Sequence, residues 1–313
     1  MHNLSRLTKH GIISALAIDQ RPILTVMFEN AGIHQPSKPI IESFKTIITE
    51  ELTQYVSAIL LDPYFGTPAM TKITSKCGLI VAIEDNTHGY ENNDRIPKLS
   101  KIWTVAYAKN HHADAIKLLV YYDPDGEDSI NHRKRKIVAD IGQQCHKNDI
   151  PFFLELLTYD STNSLTPTQF AKMRPHKILN TISDFNDSQF AVDVLKIEPP
   201  VNFQYVQGYA TNEIIYSKTE AQKYFREQSQ LITTPFVFLS GGISMSQFAN
   251  LLSFAKESGS SFNGVLCGRA TWADAVNIFV KHGEPALRQW AKTIGKVRLE
   301  QLNNAVLSNS TIF

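Results

Sequence analysis

The chain has 313 residues, of which 43% are hydrophobic and 19% charged, with a formal net charge of +1. That balance offers no electrostatic case for nucleic acid or an anionic membrane, and no run of about 18 apolar residues is present to span a bilayer. Three scattered cysteines, Cys77, Cys145 and Cys267, exclude a disulfide framework and a zinc site. The opening Met-His-Asn-Leu-Ser-Arg lacks the apolar core of a signal peptide, so a cytoplasmic location is expected.

Short apolar runs of strand type recur along the chain at 14–19, 58–62, 79–84, 115–121, 151–158, 193–198, 236–241 and 264–268. Between them the spacing predicts helices over 40–55, 102–112, 136–147, 170–179, 220–231, 245–258 and 273–282. The link at 67–76 has room for two helical turns. No Pro/Gly/Ser-rich linker divides the chain, so one domain is expected. Strands apolar on both faces and alternating with helices predict a parallel sheet. Eight such units in this length fit a (β/α)8 TIM barrel better than a doubly wound sheet, and neither a G-x-G-x-x-G fingerprint nor a Walker loop is present. The one basic cluster, Arg133-Lys134-Arg135-Lys136, reads as the solvated face of a helix.

In such a barrel, catalytic groups belong at the C-terminal ends of strands. The runs end in Asp19-Gln20-Arg21, Asp62, Glu84-Asp85, Lys196-Ile197-Glu198, Ser240-Gly241-Gly242 and Gly268-Arg269. Three polar residues interrupt apolar runs from inside: Lys117, Glu155 and Lys196. Burying an ammonium costs several kcal/mol unless it is paired or loses its proton. Lysines in that position are candidates for Schiff-base nucleophiles, because only the neutral amine attacks a carbonyl. The simpler reading has them at strand ends with their amines reaching solvent.

Phe236-Val237-Phe238-Leu239-Ser240-Gly241-Gly242 is a strand that runs into a glycine pair, and Gly264-Val265-Leu266-Cys267-Gly268-Arg269 repeats the design one unit later. Loops after the seventh and eighth strands of a barrel commonly bind phosphate through backbone N–H groups, and Arg269 adds a charge-assisted donor. A phosphorylated ketone held there presents its carbonyl to Lys196 on the sixth strand. Lys117 is expected to favour the free amine at Lys196 and to polarise the carbonyl. Glu155 is expected to shuttle protons, and Asp19 to take the proton released on carbon–carbon cleavage. This is the logic of a class I aldolase, which uses no metal and no cofactor. The histidines form no H-x-H or H-x-x-E-H pattern, so metal-dependent chemistry is not expected.

These residues, with Ile12-Ile13-Ser14-Ala15-Leu16-Ala17-Ile18-Asp19-Gln20-Arg21, Leu60-Leu61-Asp62-Pro63, Pro151-Phe152-Phe153-Leu154-Glu155, Asp193-Val194-Leu195-Lys196-Ile197-Glu198 and Phe262-Asn263-Gly264-Val265-Leu266-Cys267-Gly268-Arg269-Ala270-Thr271-Trp272, closely resemble the class I tagatose 1,6-bisphosphate aldolases. The likeness runs from about residue 10 to about residue 305. It implies an aldehyde-lyase barrel that cleaves D-tagatose 1,6-bisphosphate to dihydroxyacetone phosphate and glyceraldehyde 3-phosphate, in lactose and galactose catabolism. It implies Lys196 as the Schiff-base lysine, Glu155 as the proton-transfer glutamate, and Asp19 and Lys117 beside them. Gln20, Arg21, Ser240-Gly241-Gly242 and Gly268-Arg269 are implied for substrate and phosphate.

The chain departs from the family pattern in three places. Pro22 replaces a glycine, Pro199-Pro200 stands for Val-Pro, and Thr87-His88-Gly89-Tyr90 with Glu84, Asp85, Glu91 and Asp94 replaces a stretch that carries a lysine. The last change bears on how a distal phosphate is held and leaves the preferred sugar open. Two other readings stand beside the first. One is a related class I aldolase for another ketose bisphosphate or a sulfo-sugar phosphate. The other is a non-catalytic sugar-phosphate sensor on the same fold, disfavoured because Lys196, Lys117, Glu155 and Asp19 are all kept. Barrel enzymes are commonly oligomeric, and apolar outer helices allow a homo-oligomer here.

Overall fold

The computed structural model describes residues 2–90, 92–211 and 213–313. Eight parallel strands close into a barrel in sequence order: β1 (Ile13–Ala17), β2 (Ala58–Leu61), β3 (Gly78–Ala82), β4 (Ala115–Tyr122), β5 (Phe152–Thr158), β6 (Val194–Ile197), β7 (Phe236–Leu239) and β8 (Gly264–Cys267). This is the (β/α)8 architecture expected from the apolar runs. The polar residues that close several runs, such as Asp19, Asp62, Glu84 and Glu198, lie one or two residues past the end of their strands, at the C-terminal end of the barrel.

Alternation along each strand produces two apolar layers. Outward residues such as Ile59, Val81, Ile116 and Leu154 pack under the helices. Inward residues fill the barrel itself: the small Ala15, Ala58, Ala82 and Ala115 leave room that Phe153 and Leu60 occupy. Leu4 and Leu7, around a single turn at Ser5–Leu7, join this inner cluster and plug the N-terminal end. The seam between β8 and β1 requires a glycine. Gly264 pairs with Ile13 at a φ of +139°, and a Cβ there would stand 1.9 Å from the Ile13 carbonyl oxygen.

The helical layer comprises α1 (Pro22–Ala31), α2 (Lys38–Leu52), α3 (Pro63–Met70), α4 (Val105–Asn110), α5 (Asp128–Lys147), α6 (Pro167–Phe185), α7 (Lys218–Leu231), α8 (Met245–Glu257), α9 (Arg269–Trp272), α10 (Ala275–Trp290) and α11 (Lys296–Asn309). Helices α1 and α11 were not expected from periodicity. Pro22, one of the departures, is the first residue of α1, where a missing N–H has no intrahelical use. Helices α5 and α6 begin earlier than the apolar spacing predicts. In α6 the start is set by a capping box between Thr166 and Gln169. Helix α10 runs past its expected end and bends at Gly283.

The basic cluster on α5 corrects an expectation. Lys134 is completely buried and shares a stripe with Val138, Ile141 and Cys145, at the helical spacing that faces the barrel. Its Nζ donates to the Tyr159 hydroxyl at 3.0 Å. Arg133 and Lys136 keep to the exposed face as expected, Lys136 paired with Asp140, so the expectation fails at Lys134.

The interior layer sets a stability test. Phe153→Ala removes the largest side chain of the inner cluster, which neighbouring alanines cannot replace, and is expected to cost about 3–5 kcal/mol in urea unfolding. A loss below about 1 kcal/mol would mean that the interior collapses around the gap.

Candidate active site

A turn held from outside the barrel delivers the first group of side chains. After β1 the chain passes through Asp19, Gln20 and Arg21 into α1. Lys45, fully buried on α2, donates to the carbonyls of Ile18 at 2.8 Å and Gln20 at 2.9 Å, and contacts the Asp62 carboxylate. Asp62 also caps α3 by accepting from the Phe65 amide at 2.8 Å. Asp62 therefore faces the helix layer, where it braces the β1 turn through Lys45.

Strand register places the central residues. Glu155 and Lys196 are ladder partners on β5 and β6, so both point inward at the same level. Lys117 pairs with Phe153, one pleat deeper. The Lys196 Nζ lies 2.7 Å from Glu155 Oε1, and the Lys117 Nζ lies 2.7 Å from Glu155 Oε2. Glu155 thus bridges two ammonium positions. Lys117 also donates to Asp19 Oδ2 and Glu84 Oε1, each at 2.8 Å. Glu84 accepts in turn from the Leu119 amide at 3.1 Å and from Arg21 Nη2 at 3.2 Å, and its carbonyl accepts from Arg21 Nη1.

Burial disfavours the charge on Lys117, but Asp19, Glu155 and Glu84 outweigh it and hold the amine well above its ordinary range. Burial alone would raise the Asp19 carboxyl. Lys117 and Lys196 reverse this and hold it well below the usual carboxylate range. Lys117 is therefore a fixed cation enclosed by three carboxylates, rather than a bare charge presented to Lys196. A carboxylate held as low as Asp19 is a weak base, suited to accepting hydrogen bonds more than protons.

The opposite rim is built from the loops after β7 and β8. Gly241 and Gly242 take positive φ values of 59° and 84° before Ser244 caps α8. No backbone carbonyl among the described residues accepts from the Gly241 or Gly242 amide. The Arg269 guanidinium packs against Gly242, where an added Cβ would meet it at 3.2 Å. Gln20 lies alongside Gly268, its buried Oε1 without a partner among the described residues. Gln20, Gly241, Gly242, Gly268 and Arg269 line one cavity of about 810 Å³ at the C-terminal mouth, with Asp19, Glu155 and Lys196 on its floor.

Of the residues expected from sequence, Lys196, Glu155, Asp19, Gln20, Ser240, Gly241, Gly242, Gly268 and Arg269 line this cavity, and Lys117 lies buried beneath it. Arg21, read from sequence as a substrate ligand, also borders it, but two of its three guanidinium nitrogens are taken up by Glu84 and it is 2% exposed. Its guanidinium is thus held against Glu84 at the edge of the cavity. Sequence reasoning missed Glu84 as the link between Arg21 and Lys117, and Lys45 as the support of the β1 turn. Of the departing acidic stretch, Glu91 lies outside the described residues.

A buried amine ion-paired to a carboxylate, at the C-terminal mouth of a closed parallel barrel, is an arrangement suited to attack on a carbonyl. The chain belongs to the DeoC/LacD family of aldolases, whose profile matches residues 13–274, and is thus a carbon–carbon lyase. It is 45% identical to Tagatose 1,6-diphosphate aldolase 2 of Enterococcus faecalis, over 97% of this chain and 92% of that protein. It is 43% identical to the tagatose 1,6-diphosphate aldolase of Streptococcus agalactiae, over 97% and 94%. Among solved structures, a fructose-bisphosphate aldolase from Plasmodium falciparum superposes with a TM-score of 0.67 at 15% identity, covering 98% of this chain and 93% of that one. A Schiff base forming fructose-1,6-bisphosphate aldolase does so at 0.59 and 14%, over 93% and 97%. These distant likenesses establish the barrel.

The depressed Asp19 carboxyl sets a pH test. Its stabilising contribution is complete above the titration of an unfolded aspartate, about pH 4, and is lost progressively as pH falls from there towards the depressed folded value. Asp19→Asn is therefore expected to be less stable than wild type at pH 7, with the gap narrowing below about pH 4 in urea unfolding. A gap independent of pH would show that Asp19 contributes through packing instead.

Proposed function

We propose that this chain is a class I aldolase that reversibly cleaves D-tagatose 1,6-bisphosphate to dihydroxyacetone phosphate and D-glyceraldehyde 3-phosphate, in the tagatose 6-phosphate route of lactose and galactose breakdown. The observation that carries the mechanism is the 2.7 Å contact between Lys196 Nζ and Glu155 Oε1 at the floor of the cavity. The substrate follows from relatives 40–45% identical over 97% of the chain that bear that name.

Glu155 accepts a proton from Lys196, and the freed amine attacks the C2 carbonyl to form a carbinolamine. Protonation of its hydroxyl releases water and leaves an iminium. Loss of the C4 hydroxyl proton then breaks the C3–C4 bond, and the bonding pair moves into the iminium to give an enamine. The aldehyde departs, the enamine is protonated at C3, and hydrolysis releases dihydroxyacetone phosphate. The sequence suggested Asp19 as base for cleavage. The low basicity imposed by Lys117 favours Glu155 for that proton, with Asp19 positioning a hydroxyl. Lys117, permanently charged, offsets negative charge developing on the substrate oxygens. The C1 phosphate is received by the Gly241 and Gly242 amides and by Arg269, and Gln20 offers its unpartnered oxygen to a hydroxyl.

Borohydride reduction with dihydroxyacetone phosphate is expected to trap an adduct on Lys196, located by peptide mapping, and Lys196→Ala is expected to lose at least about 10³-fold in turnover. An adduct elsewhere, or an active variant, would relocate the nucleophile. Arg269→Ala removes a charge-assisted contact and is expected to raise KM roughly 10- to 100-fold, equivalent to about 1.5–3 kcal/mol. An unchanged KM would remove Arg269 from the phosphate site.

A further inference from the structure

Besides Arg269 and the Glu84-bound Arg21, the cavity contains a third guanidinium that the chemistry at Lys196 does not use. Arg95, in the connection between β3 and α4, lines the cavity beside Asn92, Asn93 and Asn163. Its guanidinium carbon lies 4.7 Å from the Tyr121 ring centroid and 4.8 Å from that of Tyr159, two rings that meet edge to face 6.1 Å apart. Among the described residues it has neither an ion pair nor a hydrogen bond. Aromatic contact engages the faces of a guanidinium and leaves its in-plane N–H edge free, the edge that suits a phosphate.

The support beneath it is built rather than incidental. The Tyr159 hydroxyl donates to the Asp94 carbonyl at 3.0 Å, which ties the Arg95 segment to the end of β5. The same hydroxyl accepts from buried Lys134, whose Nζ lies 4.9 Å from the Tyr159 ring centroid. Asn93 makes a further tie to the Ser161 carbonyl. Arg95 itself takes a positive φ of 50°, a conformation that needs such support.

Position makes the ligand class specific. Tyr121 ends β4 and Tyr159 follows β5, whereas Arg269 follows β8 and packs on the β7 loop. In the closed order β4 lies across the barrel from β8, with β6 and Lys196 between. Two guanidiniums thus stand on opposite rims with the amine between them. We propose that Arg95 is the residue that receives the distal phosphate of the substrate, with the scissile bond lying between Lys196 and the Arg95 pole. This rests on the aldolase reading above. It also supplies a cation to the β3–α4 segment, where Thr87-His88 replaces the lysine-bearing stretch.

The test compares D-tagatose 1,6-bisphosphate with D-tagatose 1-phosphate, using wild type, Arg95→Met and Arg95→Lys. Borohydride trapping of dihydroxyacetone phosphate, which has no distal phosphate, serves as the independent readout of an intact Lys196 centre. In Arg95→Met the ratio of kcat/KM for the bisphosphate over the monophosphate is expected to fall roughly 10- to 100-fold with trapping retained, and Arg95→Lys to recover part of it. A ratio unchanged in Arg95→Met, whether both substrates are unaffected or both decline together, would overturn the assignment. A ratio that falls equally in Arg95→Lys and in a Tyr159→Phe control would overturn it too, since loop placement would then be responsible. A wild type that traps no adduct and cleaves neither sugar overturns the aldolase reading, and the inference with it.

Discussion

Lys117 is the charge around which the active end of this barrel is organised, because an ammonium with 1% exposure has to be neutralised where it stands. Three carboxylates from three different strand ends do so: Asp19 after β1, Glu84 after β3 and Glu155 on β5. Meeting one cation forces these strand ends into a single geometry. Glu155 is shared with Lys196, so the same network sets the distance between the proposed nucleophile and its proposed proton acceptor. Arg21 extends the network through Glu84 and brings one more positive charge. The catalytic arrangement is therefore also a structural one, and a substitution in it changes charge balance as well as chemistry.

Parallel register makes the arrangement possible. Side chains alternate with a period of two, so a slip of one residue in β5 or β6 would turn Glu155 or Lys196 into the helix layer. The ladder pairing of Glu155 with Lys196 removes that freedom. Below them the apolar plug of Phe153, Leu60 and the small alanines closes the barrel and keeps water to the mouth. The low-dielectric floor strengthens each contact between these charges.

Three further buried lysines, Lys45, Lys134 and Lys177, come from helices rather than strands, and two of them support loops at the mouth. Lys45 on α2 braces the turn that presents Asp19 and Gln20, and Lys134 on α5 braces Tyr159 beneath the β3–α4 segment. Each contributes an amine to hydrogen-bond acceptors that the loops would otherwise leave unmatched, so each functional loop is held from behind by the helical shell. Loop positions at the mouth then behave as part of the rigid scaffold rather than as free connections.

The sequence by itself determined the eight strands and three central residues, for one physical reason. Polar groups inside apolar runs are costly, so Lys117, Glu155 and Lys196 stand out against their neighbours without any structure. The glycine pair after β7 and Gly268-Arg269 after β8 were legible because glycines directly after a strand leave the backbone open, the pattern that an anion site would need. Glu84 was not, since polar residues resume at every strand end and nothing local distinguishes a functional one. Lys45 and Lys134 were hidden for the complementary reason: a lysine on a helix is by default solvated, and only the packing of α2 and α5 against the barrel turns these two inward. Which cation meets which carboxylate was decided by tertiary structure alone. Asp19 and Lys117 are 98 positions apart in the chain, and only barrel closure makes their charges neighbours.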